Sequence, residues 1–171
     1  MKRHIILIGL PGCGKTTVGR LVAERLRAPF MDTDTIIVRK TLKTIVQIFG
    51  EEGEPAFRRL ETEAMHNALA GPPCVIAPGG GWAAQPGALE RLRDDELVTY
   101  LKTLALTAAR RAGADGTRPM LVGEDPVERM RQLLKEREPF YLRAHYEVKA
   151  DTKSPEQLAD AIVALFRESA G

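Results

Sequence analysis

The sequence predicts an α/β fold in which a parallel five-stranded sheet carries helices on both faces. Short apolar runs of strand length alternate with segments of helical period. The first such run leads straight into a glycine-rich loop that opens a helix. The 171 residues contain no internal repeat and no linker rich enough to divide them, so residues 1–171 are expected to form one domain.

Residues 5–8 are continuously apolar and read as a strand buried on both faces. A helix is expected over 15–27, where Val18, Leu21, Val22 and Leu26 share one face. Residues 29–32 form a short second strand. Helical segments follow at 35–42, 44–49 and 55–69, with Pro55 suited to a first turn. After the Pro72-Pro73 break, 74–77 is the third strand and 97–101 the fourth, with a short helix at 86–93 between them. A helix over 104–111 stops in Gly113-Ala114-Asp115-Gly116, a stretch of poor helix propensity. Asp125 followed by Pro126 opens a long helix towards Tyr141. The last strand falls at 146–150, and Ser154-Pro155-Glu156-Gln157 is a capping box for the final helix.

Composition excludes several function classes. With 25 basic and 23 acidic residues the net charge is +2, too even for nucleic-acid binding by bulk charge. Cys13 and Cys74 are too few for a disulfide framework and lack metal-ligand spacing. His4, His66 and His145 show no pairing with one another or with the cysteines and read as structural. The apolar stretch from Ile5 to Leu10 is too short to span a bilayer and lacks the flanks of a signal peptide. A soluble protein of the reducing cytoplasm, with no nucleic-acid or membrane partner, is expected.

The loop Gly9-Leu-Pro-Gly-Cys-Gly-Lys15-Thr16-Thr17 matches GxxxxGK[ST] and stands between a buried strand and a helix, the context that motif requires. Gly12, Cys13, Gly14 and the residues after them turn backbone N–H groups inward around phosphate oxygens. The helix N-terminus adds partial positive charge at the same spot. Lys15 reaches the β- and γ-phosphates, the Thr16 hydroxyl is a Mg²⁺ ligand, and Thr17 continues the nucleotide site. Neither a DxxG nor an NKxD segment is present, which excludes the common GTPase pattern. Asp32 and Asp34 follow the second strand. Residues two apart in a strand point the same way, so one carboxylate is expected to hold hydrated Mg²⁺ and the other an acceptor hydroxyl. A turn that merely caps the next helix is the simpler alternative.

From here the ordered motifs resemble the shikimate kinase family over nearly the whole chain. The set is the glycine-lysine loop, Asp32-Thr-Asp34, Gly53-Glu-Pro-Ala-Phe57-Arg58-Arg-Leu-Glu61, Gly79-Gly80-Gly81, Arg118-Pro119-Met-Leu121, and Arg137 with Pro139 and Tyr141. The resemblance implies a P-loop kinase, a three-layer αβα sandwich with a central parallel five-stranded sheet. It further implies a helical substrate-binding region at about 33–61 and a mobile lid at about 112–123. The implied reaction moves the γ-phosphate of ATP to the 3-hydroxyl of shikimate, with Mg²⁺, in a cytoplasmic monomer.

By the same resemblance Arg58 and Arg137 clamp the substrate carboxylate, a bidentate match that lysine cannot make. Glu61, one helical turn on, orients Arg58. Asp34 binds ring hydroxyls and takes the proton of the reacting one. Gly79, Gly80 and Gly81 let backbone approach the substrate, and Phe49 and Phe57 lie beside its ring. Arg118 swings over the transferring phosphoryl group, and Arg110 and Pro155 form the adenine edge. Lys15, Asp34 and Arg118 are the catalytic set. Pro78, Trp82 and Pro55 depart from the family pattern. Gluconate or a nucleoside monophosphate is the alternative acceptor, and a nucleotide-binding module without turnover is the reading of another class.

Overall fold

Four consecutive apolar residues, Ile5–Ile8, form β1, and none is more than 2% exposed. Successive strand side chains point to opposite sides, so such a strand needs a covering layer on each face. Ile6 and Ile8 enter one core, while Ile5 and Leu7 enter the other. The computed structural model describes residues 1, 3–115 and 125–171. In it β1 is the middle strand of a sheet completed by β2 (Phe30–Asp32), β3 (Val75–Ala77), β4 (Leu97–Lys102) and β5 (Tyr146–Lys149). The order is β2-β3-β1-β4-β5 and every pairing is parallel. Ile5 pairs with Val75 on one side and Leu97 on the other.

The helices are α1 (Lys15–Leu26), α2 (Thr33–Thr41), α3 (Ile45–Glu52), α4 (Glu54–Ala70), α5 (Ala105–Asp115), α6 (Pro126–Tyr141) and α7 (Pro155–Glu168). Val18 and Val22 of α1 join Leu158 and Ile162 of α7 beneath one face of the sheet. Met65 of α4, Ala108 of α5 and Met130 of α6 cover the other. These are the three layers expected from the resemblance. Away from the sheet, Ile37, Ile48, Phe57 and Ala64 draw α2, α3 and α4 around a small core of their own. Because the connection from β1 runs to β2 at one edge and that from β3 runs to β4 on the other side, the carboxyl ends of β1 and β3 border a crevice, the usual ligand position in open α/β sheets.

Local signals explain most boundaries. Thr44 and Ser154 each form a complete capping box, at the starts of α3 and α7. The Asp125 side chain accepts from the backbone N–H groups of Val127 and Glu128 at the start of α6. Pro55 sits in the first turn of α4, where its missing N–H costs nothing.

Four expectations are corrected. No α-helix forms over 86–93; a single 3-10 turn at Trp82–Ala84 is followed by turns. There Gly87 takes φ 73°, a backbone setting that ends helical propagation. Conversely, α5 does not stop before Gly113 but runs on to Asp115. Ala112 is buried, and its backbone nitrogen lies against Gly12 of the glycine-lysine loop, so packing outweighs the roughly 1 kcal/mol propensity cost of one glycine. Asp34 is not a strand-end residue alternating with Asp32. Asp32 ends β2 and caps α2 by accepting from the Thr35 N–H at 3.1 Å, which places Asp34 in the first helical turn. Finally, His4 does contact a cysteine. Its Nδ1 accepts the Cys74 N–H at 3.1 Å and lies 3.3 Å from Cys74 Sγ. Burial, and then the nearby Glu96 charge, pushes the Cys74 thiol up to about 11, so the pair is a packing contact rather than a reactive one. Of the expected lid, residues 112–115 belong to α5 and the remainder, with Arg118, lies outside the described residues.

Candidate active site

The loop between β1 and α1 is a cradle of backbone donors. Gly12 and Gly14 have φ of 79° and 96°, which residues with a Cβ rarely adopt. At Gly12 a Cβ would also stand 2.4 Å from the Ala108 carbonyl oxygen, because α5 passes directly against the loop. Gly14 is the N-cap of α1 and supplies no side-chain acceptor. The helix therefore presents its first-turn N–H groups and positive dipole end to whatever anion the loop holds. Lys15 is buried, and its Nζ donates to the carbonyls of Gly9 at 2.8 Å and Leu10 at 2.9 Å. Cys13 is wholly buried, its sulfur 3.7 Å from the Lys15 ammonium. Thr17 is exposed at the first turn of α1.

Thr16 Oγ1 donates to Asp32 Oδ2 at 2.6 Å, so the loop is tied to the end of β2. A hydroxyl and a carboxylate are hard oxygen donors of the type Mg²⁺ takes, and this pair fits that ion. On the flank, Arg110 is exposed, whereas Arg111 NH1 lies 3.9 Å from the point a Gly14 Cβ would occupy. Sequence reasoning missed Arg111. Only the helical phase of α5, fixed by Ala108 and Ala112 packing, separates the two neighbours. Pro155 stands exposed at the start of α7.

Across Pro11 lies a small cavity lined by Arg58, Glu61, Gly79–Gly81, Arg137, Ile45 and the two phenylalanines Phe49 and Phe57. Residues from α3, α4, α6 and the turn after β3 meet there. Phe49 and Phe57 pack with ring centroids 4.8 Å apart, and the Arg58 guanidinium lies 5.3 Å from the Phe57 ring centre. Arg58 NH1 donates to Glu61 Oε1 at 2.9 Å, and its NH2 reaches Glu54 Oε1 at 3.1 Å. The i,i+3 spacing on α4 puts the first two together.

The triple glycine makes room for these charges. A Cβ on Gly79 would stand 2.4 Å from Glu61 Oε2, one on Gly80 2.6 Å from Pro11 Cδ, and one on Gly81 2.5 Å from Arg58 NH2. Asp34 Oδ1 lies 3.4 Å from the same Gly79 position, which brings α2 into the group. Trp82 is buried in the main core and does not line this cavity. A larger, open groove along the outside of α4, between His66 and Arg91, shares Arg58 with this cavity but none of the loop residues.

Electrostatically the cavity is prepared for a ligand. Glu61 is fully buried, and Oε2 has no hydrogen-bond partner among the described residues; the same holds for Arg137 NH1. Burial holds the Glu61 carboxyl above the usual carboxylate range, opposed in part by Arg58. An unmet buried donor or acceptor costs about 1–3 kcal/mol, more when charged. A compact ligand bearing a carboxylate and hydroxyls would supply both missing partners.

The family model for shikimate kinase matches residues 11–167. A curated shikimate kinase from Symbiobacterium thermophilum is 41% identical over 168 residues, covering 96% of this chain and 97% of that one. Among solved structures, the shikimate kinase from Acinetobacter baumannii in complex with shikimate superposes with a TM-score of 0.92 at 39% identity, over 97% of this chain and 93% of that one. A gluconokinase from Sinorhizobium meliloti 1021 shares the fold, with a TM-score of 0.67 at 17% identity over 99% of this chain and 95% of its own.

Proposed function

This chain belongs to the shikimate kinase family, and from that premise we propose that it transfers the γ-phosphoryl group of ATP to the 3-hydroxyl of shikimate, giving shikimate 3-phosphate and ADP. The observation that carries this reading is the cavity beside the phosphate loop, where Arg58, Glu61 and Arg137 surround a glycine turn and two buried polar atoms lack partners.

In this reading the acceptor hydroxyl oxygen forms a bond to the γ-phosphorus as the bond to the β–γ bridging oxygen breaks, and ADP departs. Asp34 orients the hydroxyl and receives its proton. Arg58 and Arg137 hold the substrate carboxylate, so that the ring presents one hydroxyl to the phosphate. Gly79, Gly80 and Gly81 offer backbone at close range. Lys15 exchanges its loop carbonyls for phosphate oxygens and neutralises charge that spreads as the group transfers. Thr16, and Asp32 through water, would hold Mg²⁺, which when bound neutralises phosphate charge. Gly12, Cys13, Gly14 and Thr17 complete the phosphate cradle, with Arg110 and Pro155 as the adenine edge. Arg118 is assigned, on the family pattern, to the lid over the phosphoryl group.

The reading takes residues 1–171 as one kinase domain acting as a cytoplasmic monomer. Among the described residues no helix is long and apolar enough to cross a membrane. ADP release measured in parallel with shikimate, gluconate and nucleoside monophosphates tests the assignment. Turnover is expected with shikimate. Turnover of another acceptor without shikimate turnover would overturn it.

A further inference from the structure

The glycine turn is held from two sides by side chains that the catalytic reading does not use. At one end the Gly79 N–H donates to Thr33 Oγ1 at 3.2 Å, and Thr33 is fully buried. In the middle the Tyr141 hydroxyl donates to the Gly80 carbonyl. Tyr141 is itself fully buried, its ring centroid 5.1 Å from that of Tyr100. It follows Arg137 by four residues on α6, so both side chains leave the same face of one helix. Gly80 in turn leaves no room for a Cβ against Pro11 of the phosphate loop, nor Gly81 against Arg58.

We propose that Tyr141 is a positioning residue for the acceptor: its hydroxyl fixes the Gly80 peptide so that the turn, Arg58 and Arg137 keep one geometry around the substrate. A peptide rotated about its neighbours would carry the Gly80 and Gly81 backbone away from the cavity and loosen the contact with Arg58. Burial pushes the Tyr141 phenol upward, with the Arg137 charge offsetting part of the effect, so the hydroxyl remains a donor across the working range. A second hydroxyl in the same packed pair, that of Tyr100, donates instead to Glu138 at 3.2 Å and provides an internal control.

The inference rests on shikimate being the acceptor. Tyr141→Phe removes one oxygen and keeps the ring on Tyr100. Trp82, the single tryptophan, donates its backbone N–H to the Gly79 carbonyl at 3.1 Å and so reports on the turn. Shikimate titrations followed by Trp82 emission should give Tyr141→Phe a Kd roughly 3- to 10-fold above wild type, with a matching rise in shikimate KM and no change in KM for ATP. 4-Aminophenylalanine at position 141 returns a donor and should recover most of the affinity. Tyr100→Phe should leave the shikimate Kd unchanged. An unchanged Kd in Tyr141→Phe with only a lower Tm would reduce the hydroxyl to a satisfied core group and overturn the inference. An equal rise in Tyr100→Phe would do the same. Wild-type protein that does not bind shikimate defeats the substrate reading and this inference with it, whereas wild-type binding with an unaffected Tyr141→Phe defeats the inference alone.

Discussion

The phosphate loop and the acceptor cavity touch at Pro11, yet they are built on opposite plans. The loop is one continuous stretch, residues 9–17, and its charged group is satisfied within it, with Lys15 on the carbonyls of Gly9 and Leu10. The cavity draws on α2, α3, α4, α6 and the turn after β3, and keeps Glu61 Oε2 and Arg137 NH1 without partners among the described residues. A self-satisfied local motif is stable before its ligand arrives. A non-local cavity with unmet buried charge costs the fold stability, and that cost is relieved only by a ligand carrying the matching groups. On the proposed reading, specificity for the acceptor resides in the second region.

Four perturbations should separate the two regions. The largest effect is expected from Lys15→Ala: kcat falls on the order of a thousandfold, as for other lost transition-state donors, with the shikimate Kd unchanged. A parallel loss of shikimate binding would mean that the halves are not separable. Next comes Gly79→Ala, whose methyl would meet Glu61 Oε2 at 2.4 Å. Overpacking of this kind costs about 1–3 kcal/mol in urea denaturation. Shikimate affinity should fall with it while nucleotide affinity holds, and retention of both would show that the turn yields freely.

A subtler difference lies in pH. Because burial raises the Glu61 carboxyl, this group holds more protons in the folded than in the unfolded chain between about pH 4.3 and its raised value. Stability from this group is complete below the first value and is lost as pH rises through the raised one. Denaturation midpoints measured between about pH 4 and 7 should show this component flattened in Glu61→Gln. An identical slope in both proteins would mean that Glu61 is not desolvated. The smallest effect belongs to the scaffold outside both halves. Arg25 and Asp160 join α1 to α7 at 2.7 Å, but Asp160 is 68% exposed. Asp160→Ala should lower stability by at most about 0.5 kcal/mol and leave both KM values unchanged.

The same division explains what could be read from the sequence. β1, the loop and α1 were legible almost to the residue, because an apolar run, a glycine motif and a helical stripe each act locally. The capping boxes at Thr44 and Ser154 and the Asp125 cap are local signals too. Other features depend on tertiary packing. Asp34 turned out to be helical because the Asp32 carboxylate caps α2. That Arg111 points beside Gly14 depends on how α5 packs, and the extension through Gly113 on what Ala112 touches. Gly79, Gly80 and Gly81 were marked for close backbone approach. What they approach within the protein, Glu61, Pro11 and Arg58, required the fold. The Tyr141 bond to Gly80 spans 61 residues and had no sequence signal of its own beyond a family motif.

The central claim is that an arginine-lined acceptor cavity stands beside an independent nucleotide cradle. Calorimetric titration of shikimate, and separately of a non-hydrolysable ATP analogue, into wild type and Arg58→Ala tests it most directly. The account predicts that shikimate binding weakens by at least tenfold in the variant, as for a lost bidentate charge pair, while the nucleotide Kd stays within about twofold. Equal weakening of both ligands, or of neither, would contradict it.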